Sequence, residues 1–334
     1  MRRLSALLAT PAGRVARYMV SGALILWLVL QVDWSRLRAV RGEFSWPTIL
    51  AALVLVGVTF PLQAWRWWLL LRAQNLPVSL HWAHAVTWIG QFYNAFLLGG
   101  LGGDAARVYY VVRDLPGRRA AGIATLLLDR IIGLIVLMAI AAAALAARPS
   151  ALDASNQLRG LFLTAATVAF GGIFAAAALL RFDPNRWPGP IRRALGPDRL
   201  AGIAQLLAAM RAAPGAHVAA IAVSTAIWLL DFVATWLAAR AVGLPLPFLE
   251  TCVAMSVAYA VTFLPISVGG HGVREGALLA TLAAFGLLAA EVAHERALLL
   301  ALLVWATTVF WSLVGGVVVL AAPRLLPAAK TPAP

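Results

Sequence analysis

Residues His81–Arg107 read HWAHAVTWIGQFYNAFLLGGLGGDAAR. An apolar segment runs to Phe96, breaks at Gly99, Gly100, Gly102 and Gly103, and then presents Asp104 and Arg107. From His81 to Phe96 a helix spans about 24 Å at 1.5 Å per residue, short of the roughly 30 Å hydrocarbon core. The next segment, DAARVYYVVRDLPGRRA, carries Arg107, Arg113, Arg118 and Arg119. A complete crossing at 81–103 would put those arginines outside, against the positive-inside rule. The pattern therefore predicts a re-entrant hairpin that turns at the glycines. A second stretch, Phe263–Gly276, reads FLPISVGGHGVREG and repeats the device. It breaks at Gly269, Gly270 and Gly272, then presents Arg274 and Glu275. Paired broken segments of this kind build polar sites at the bilayer midplane.

The rest of the composition agrees with a membrane setting. The 334 residues are 62% hydrophobic and 12% charged, about half the charge of a soluble domain. The net charge is +14. No basic run is interleaved with aromatics as single-strand binding requires, so nucleic acid is not an expected partner. The excess is read as Arg-rich cytoplasmic loops facing anionic headgroups. One cysteine, Cys252, excludes an intramolecular disulfide and a thiolate metal cluster.

In chain order, residues 1–17 form a basic cytoplasmic N-terminus and 18–32 an uncleaved first span. Further spans are predicted near 48–71, 120–147, 158–180, 216–240 and 297–321. Residues 181–214 form the main cytoplasmic loop, whose RLAGIAQLLAAMRAA stretch is expected to form an amphipathic helix. Residues 18–322 are read as a single transmembrane domain and 323–334, rich in Pro and Ala, as a disordered tail. The fold class is thus all-α: a polytopic membrane helix bundle of about six full spans plus two glycine-broken re-entrant elements, eight hydrophobic segments in all. Arginine placement puts both termini in the cytoplasm. The first hairpin then enters from the cytoplasm and the second from outside, as inverted repeats produce.

Charges beside the breaks are the candidate site. An ionised side chain at the bilayer centre costs about 2.5–3.5 kcal/mol, so Asp104, Arg107, Arg274 and Glu275 should pair or line a watery cavity. Asp104 is expected to cap a helix over 105–113 and to orient an arginine. Arg107 or Arg274 would meet a lipid phosphate, since guanidinium suits bidentate phosphate contact. A purely structural alternative pairs Asp104 with Arg274 and Glu275 with Arg107, locking the hairpins together. Arg66 lies among Trp65, Trp67 and Trp68, which reads as an interfacial anchor or a phosphate ligand. Asp129-Arg130 reads as an interfacial pair near the cytoplasmic surface. Asp231, inside WLLDFVATW, should face the bundle, as a hydrogen-bonded structural group or a proton relay. Pro61 should kink its span.

His81 and His84 share a helix face, but HExxH, a P-loop and GxSxG are all missing from the sequence. No metal and no cofactor are expected.

Taken in order, RWWLLL, GQFYNAFLLGGLGGDAAR, LLLDRIIGL and LPISVGGHGVREGALL resemble the transmembrane, flippase-like region of the lysylphosphatidylglycerol synthases, which also occurs in stand-alone bacterial membrane proteins. The resemblance covers about 14 to 322. It implies movement of a lipid between leaflets of the bacterial cytoplasmic membrane. It carries over Asn94, Asp104, Arg107, Asp129, Arg130, Arg274 and Glu275 as the polar positions. The full synthases continue into a soluble domain that transfers the aminoacyl group. The chain read here stops at Pro334, so the resemblance supports translocation and not synthesis. The family's usual Pro-Gly-like break is LLGGLGG here, a more flexible turn.

The expected function is translocation of a membrane lipid, an anionic phospholipid, polyprenyl or hopanoid-type molecule, by a protein that is not an enzyme. A membrane-embedded lipid-modifying transferase and a non-catalytic partner of a lipid-synthesising enzyme are the alternatives. The lipid, the direction, the energy source and the oligomeric state are not legible in the residues.

Overall fold

Apolar runs set where helices form, and local backbone chemistry sets where they stop. The computed structural model describes residues 44–96, 102–181, 188–189, 193, 196–262, 272–289 and 291–325, and these form α-helices and no strand. The expected N-terminus and first span (1–32), Gly99, Gly100, Gly269, Gly270 and the tail beyond 325 lie outside the described residues. The helices are α1 (Trp46–Ala73), α2 (Leu80–Phe96), α3 (Gly102–Asp114), α4 (Arg119–Ala146), α5 (Pro149–Ala154), α6 (Asn156–Arg181), α7 (Pro197–Ala212), α8 (Pro214–Ala241), α9 (Phe248–Val261), α10 (Val273–Ala284) and α11 (Glu291–Leu325). Five of them, α1, α4, α6, α8 and α11, are long and apolar enough to cross a membrane. They coincide with five of the six predicted spans, and the protein is a multi-pass membrane protein. α1 continues through Pro61 without a break in the helix. α11 runs to Leu325. The expected helix in the loop forms as α7, although its apolar residues are spread around it rather than gathered on one face.

α1 and α8 end in the same kind of corner, at separate places in the fold. After α1, Asn75 takes a left-handed φ of 52° and after α8 Gly243 takes 72°. Asn75 N–H donates to Arg72 O (2.9 Å) and Leu76 N–H to Leu71 O (3.1 Å). Gly243 N–H donates to Arg240 O (3.0 Å) and Leu244 N–H to Ala239 O (2.8 Å). Each is a Schellman turn that satisfies the last helical carbonyls, followed by Pro77 or Pro245, which cannot continue a helix. Trp68 Nε1 donates to Val78 O at 3.2 Å and Trp236 Nε1 to Leu246 O at 3.0 Å. Arg72 covers the Trp68 ring and Arg240 the Trp236 ring, at 5.1 and 4.8 Å. WLLLRAQNLP and WLAARAVGLP are the sequences that fold this way.

Each corner leads into a helical hairpin. α2 and α3 pack on each other across two glycines: a methyl on Gly103 would stand 2.4 Å from Gly90 O. Their open ends lie together, since Trp82 Nε1 at the start of α2 donates to Asp114 Oδ2 at the end of α3 (2.7 Å). α2 and α3 therefore run antiparallel. α9 and α10 form the second packed pair. Each pair is followed by a long helix, α4 or α11, and each hairpin packs against the long helix of the other half: α9 on α4, α2 on α11.

The central pair is α1 with α8, and it is antiparallel. Ser45 N–H, before α1, donates to Ala241 O at the end of α8 (3.0 Å). At the other end, Gln74 Nε2 reaches Leu206 O on α7, the helix that precedes α8 (3.5 Å). α6 packs mainly on α4 and turns Leu163, Phe170, Ile173 and Phe174 outward, as lipid contact requires.

Candidate functional site

Between these elements lies a cavity of about 230 Å³, bordered by α1, α2, α3, α4, α8, α9, α10 and α11. Arg66, Asn94, Asp104, Arg107, Asp129, Arg130, Asp231 and Arg274 all line it. Glu275 is the one predicted site residue set behind the wall, 1% exposed. Residues from both hairpins and from the interiors of four long helices thus meet in one place.

On one wall, Arg66 grips Asp129 at two points, Nε to Oδ1 at 2.7 Å and Nη2 to Oδ2 at 3.1 Å. Its Nη1 donates to Ser224 Oγ on α8 at 3.0 Å. Arg66 and Asp129 are 8% and 3% exposed. Arg66 is therefore held inside the bundle rather than turned outward as an anchor, and Asp129 pairs with Arg66 while Arg130 pairs with Asp104. Tryptophans around Arg66 imitate a headgroup belt, but Trp67 is fully buried and donates to Thr125 Oγ1 (3.1 Å).

Arg107 lies over the Trp67 ring at 5.5 Å, with Nη1 only within 3.8 Å of Asp129 Oδ2. Gly90 makes room for it: a methyl there would meet Arg107 Nε at 3.1 Å and Gly103 O at 3.2 Å. Asp104 does hold an arginine, but that arginine is Arg130, Nε to Oδ2 at 2.5 Å. α3 begins at Gly102, so Asp104 sits in the first turn rather than at the cap, where a carboxylate still complements the helix dipole. At 25% and 36% side-chain exposure, this pair marks the open side of the cavity.

On the opposite wall, Arg274 binds its neighbour Glu275, Nη2 to Oε1 at 2.6 Å and Nε to Oε1 at 2.9 Å. Nη1 donates to Thr308 Oγ1 on α11 (3.1 Å), and the guanidinium lies 5.8 Å from the Tyr259 ring. Glu275 also accepts Gly272 N–H at 2.7 Å and so closes the N-terminus of α10. The cross-hairpin lock, Asp104 with Arg274 and Glu275 with Arg107, is not formed. Each carboxylate is taken by a nearer arginine: Arg130 faces α3 from α4, and Arg274 adjoins Glu275 in the chain.

Several lining residues were not singled out from sequence: Gln63 and Gln91, joined at 2.8 Å, with Trp228, Tyr259 and Thr308. Hydroxyl and amide groups in apolar helices are too common to stand out. Asn94 Oδ1 and Asp231 Oδ2 are buried without a hydrogen-bond partner, so both remain available to a guest. Among the described residues no cluster of His, Cys, Asp or Glu fits a metal ion.

The description "Lysylphosphatidylglycerol synthase TM region" matches residues 14–316. Among curated proteins, none matches the chain.

Proposed function

The chain belongs to the family of the lysylphosphatidylglycerol synthase transmembrane region, and on that premise we propose that it carries lipid headgroups between the leaflets of a bacterial cytoplasmic membrane. The observation that supports this reading is the cavity itself. A chamber of about 230 Å³ lined by four arginines and three aspartates would be costly inside hydrocarbon unless it served a polar guest. It is large enough for a phosphate group with a few waters, since a cavity needs about 10–15 Å³ of such space to hold one water.

Arg107 is the phosphate-binding residue in this reading, because its contact with Asp129 is long and leaves guanidinium donors free for a bidentate partner. Arg66 and Arg274 hold the walls. Asn94, one oxygen unpaired, meets hydroxyl or amide donors of the headgroup. The acyl chains stay outside, along the helices.

We further propose that the two halves are inverted repeats. The shared corner, the hairpin after each corner, the reciprocal packing of each hairpin on the other half's long helix and the antiparallel α1–α8 pair support a pseudo-twofold axis in the membrane plane. The hairpins are then re-entrant from opposite faces. Arg72, Arg113, Arg118, Arg119 and Arg211 gather on one side, which the positive-inside rule makes cytoplasmic, with both termini there.

The test is leaflet sidedness in proteoliposomes. Purified protein is reconstituted with fluorescent phosphatidylglycerol, and an impermeant quencher reads which leaflet the label occupies. Faster exchange than in empty liposomes, lost in Arg107→Ala with folding retained, is the expected result. No acceleration over empty liposomes, for phosphatidylglycerol and other headgroups alike, overturns the reading.

A further inference from the structure

Asp231 stands apart from the other acids of the site. Asp129 is neutralised by Arg66, Asp104 by Arg130, and Glu275 by Arg274. Asp231 is 8% exposed, shares a hydrogen bond with the Tyr259 hydroxyl, and leaves Oδ2 unpartnered. A second feature lies directly behind it. A separate crevice of about 20 Å³ runs between α1, α8, α9 and α11, lined by Thr235, Thr307 and Thr308. That is room for about one water, with hydroxyls to bind it. Asp231 and Tyr259 border both this crevice and the main cavity. The carboxylate therefore stands between the main cavity and a small, mainly apolar crevice in which the three threonine hydroxyls are the other polar side-chain groups besides Asp231 and Tyr259.

Taking lipid translocation as the activity, we infer that Asp231 is a proton-binding group that couples it to a proton gradient, loading from one of the two spaces and releasing into the other. An ionised carboxylate with no ion pair of its own inside the membrane is costly, and a bound proton removes the charge and turns Oδ2 into a donor. The ionisable groups around it are accounted for. α1 presents Arg66 and α4 presents Asp129, which hold each other, together with Arg130, which holds Asp104 of α3. α3 also presents Arg107. α9 presents Tyr259, and α10 presents Arg274 and Glu275, a closed pair. α11 offers the hydroxyls of Thr307 and Thr308 to this region. A metal cation suits the place poorly. Hard cations need about six oxygen ligands, whereas Thr308 Oγ1 donates to Val304 O and accepts from Arg274, whose positive charge borders the same wall.

The step is a plain proton transfer. Water on one side gives a proton to the Asp231 carboxylate, and the neutral acid returns it to water on the other. No electron moves and no bond other than O–H forms or breaks.

Two measurements decide it. The first needs no transport: infrared difference spectra of the detergent-solubilised full chain between acid and alkaline pH. A protonated-carboxyl C=O band that titrates in wild type and is missing in Asp231→Asn is expected. The same spectrum in both proteins overturns the assignment. The second uses proteoliposomes with fluorescent phosphatidylglycerol, with and without a pH gradient, in sodium-free buffer. Wild-type exchange should rise several-fold with the gradient, and Asp231→Asn should show one rate in both conditions, with Asp231→Glu restoring some response. Wild-type exchange indifferent to the gradient, or driven by added sodium instead, overturns the coupling. If the infrared band is present but no lipid moves under any condition, the translocation reading fails while proton binding by Asp231 stands.

Discussion

Arg66 on α1 and Asp129 on α4 are joined by two hydrogen bonds, 2.7 and 3.1 Å long, and both side chains are buried in the wall of the cavity. Breaking such a pair from one side strands the other charge, at about 3–5 kcal/mol. Arg66→Ala should therefore lower the thermal midpoint in detergent sharply, and Asp129→Ala at least as much, because it strands Arg107 as well. Replacing both by apolar residues, Arg66→Met with Asp129→Leu, should recover much of the loss. If the double variant loses as much as the two singles added, the pair is not what holds α1 to α4.

Gly103 and Gly171 should respond in opposite ways to alanine. A methyl on Gly103 meets the Gly90 carbonyl at 2.4 Å, backbone that has no rotamer to yield. Gly171 on α6 has nothing within 4 Å of that position, and alanine there favours the helix by up to about 1 kcal/mol. Unfolding midpoints should fall for Gly103→Ala and hold or rise for Gly171→Ala. Equal shifts would show that the hairpin glycines are not in close contact.

The paired corners make a matched prediction. Trp68→Phe and Trp236→Phe each keep a ring under an arginine and lose one indole hydrogen bond to a carbonyl. Each should cost about 1 kcal/mol, and the two costs should agree. A loss confined to one corner, measured by denaturant or thermal unfolding, would count against equivalence of the halves.

Cavity access can be mapped with the native thiol in place. Cys252 is buried at 2% exposure and should resist an impermeant maleimide in the folded protein. Asn94→Cys, on the cavity wall beside the Asp104–Arg130 opening, should label far faster than Cys252. Equal resistance of the two thiols contradicts an opening on that side.

Much of this was legible in the residues, for a physical reason. Span length, helix breaks and the cost of intramembrane charge are properties of short sequence windows, so five spans, the first hairpin and eight cavity-lining residues could be read directly. Pairing is different. Whether Asp104 meets Arg130 or Arg274 depends on the rotation of α4 against α3, which hydropathy does not encode. Arg66 misled because an indole looks alike at a headgroup and in a packed core. The corner repeat, Trp-Leu followed by Arg-Ala and Leu-Pro, was present in the sequence throughout. It lies away from the glycine breaks and has no charge of the site in it, so a search led by glycines and charges passes it by.

α6 carries none of the site's side chains and touches little besides α4, yet in the proposed topology it matters through parity. If each hairpin returns the chain to the face it left, α1 and α4 together bring it back to where α1 began. Starting α8 from there would set it parallel to α1. One more crossing reverses the sense, and α6 would be that crossing. Its worth in that reading is an odd number, not a contact: removing it would turn the second half upside down.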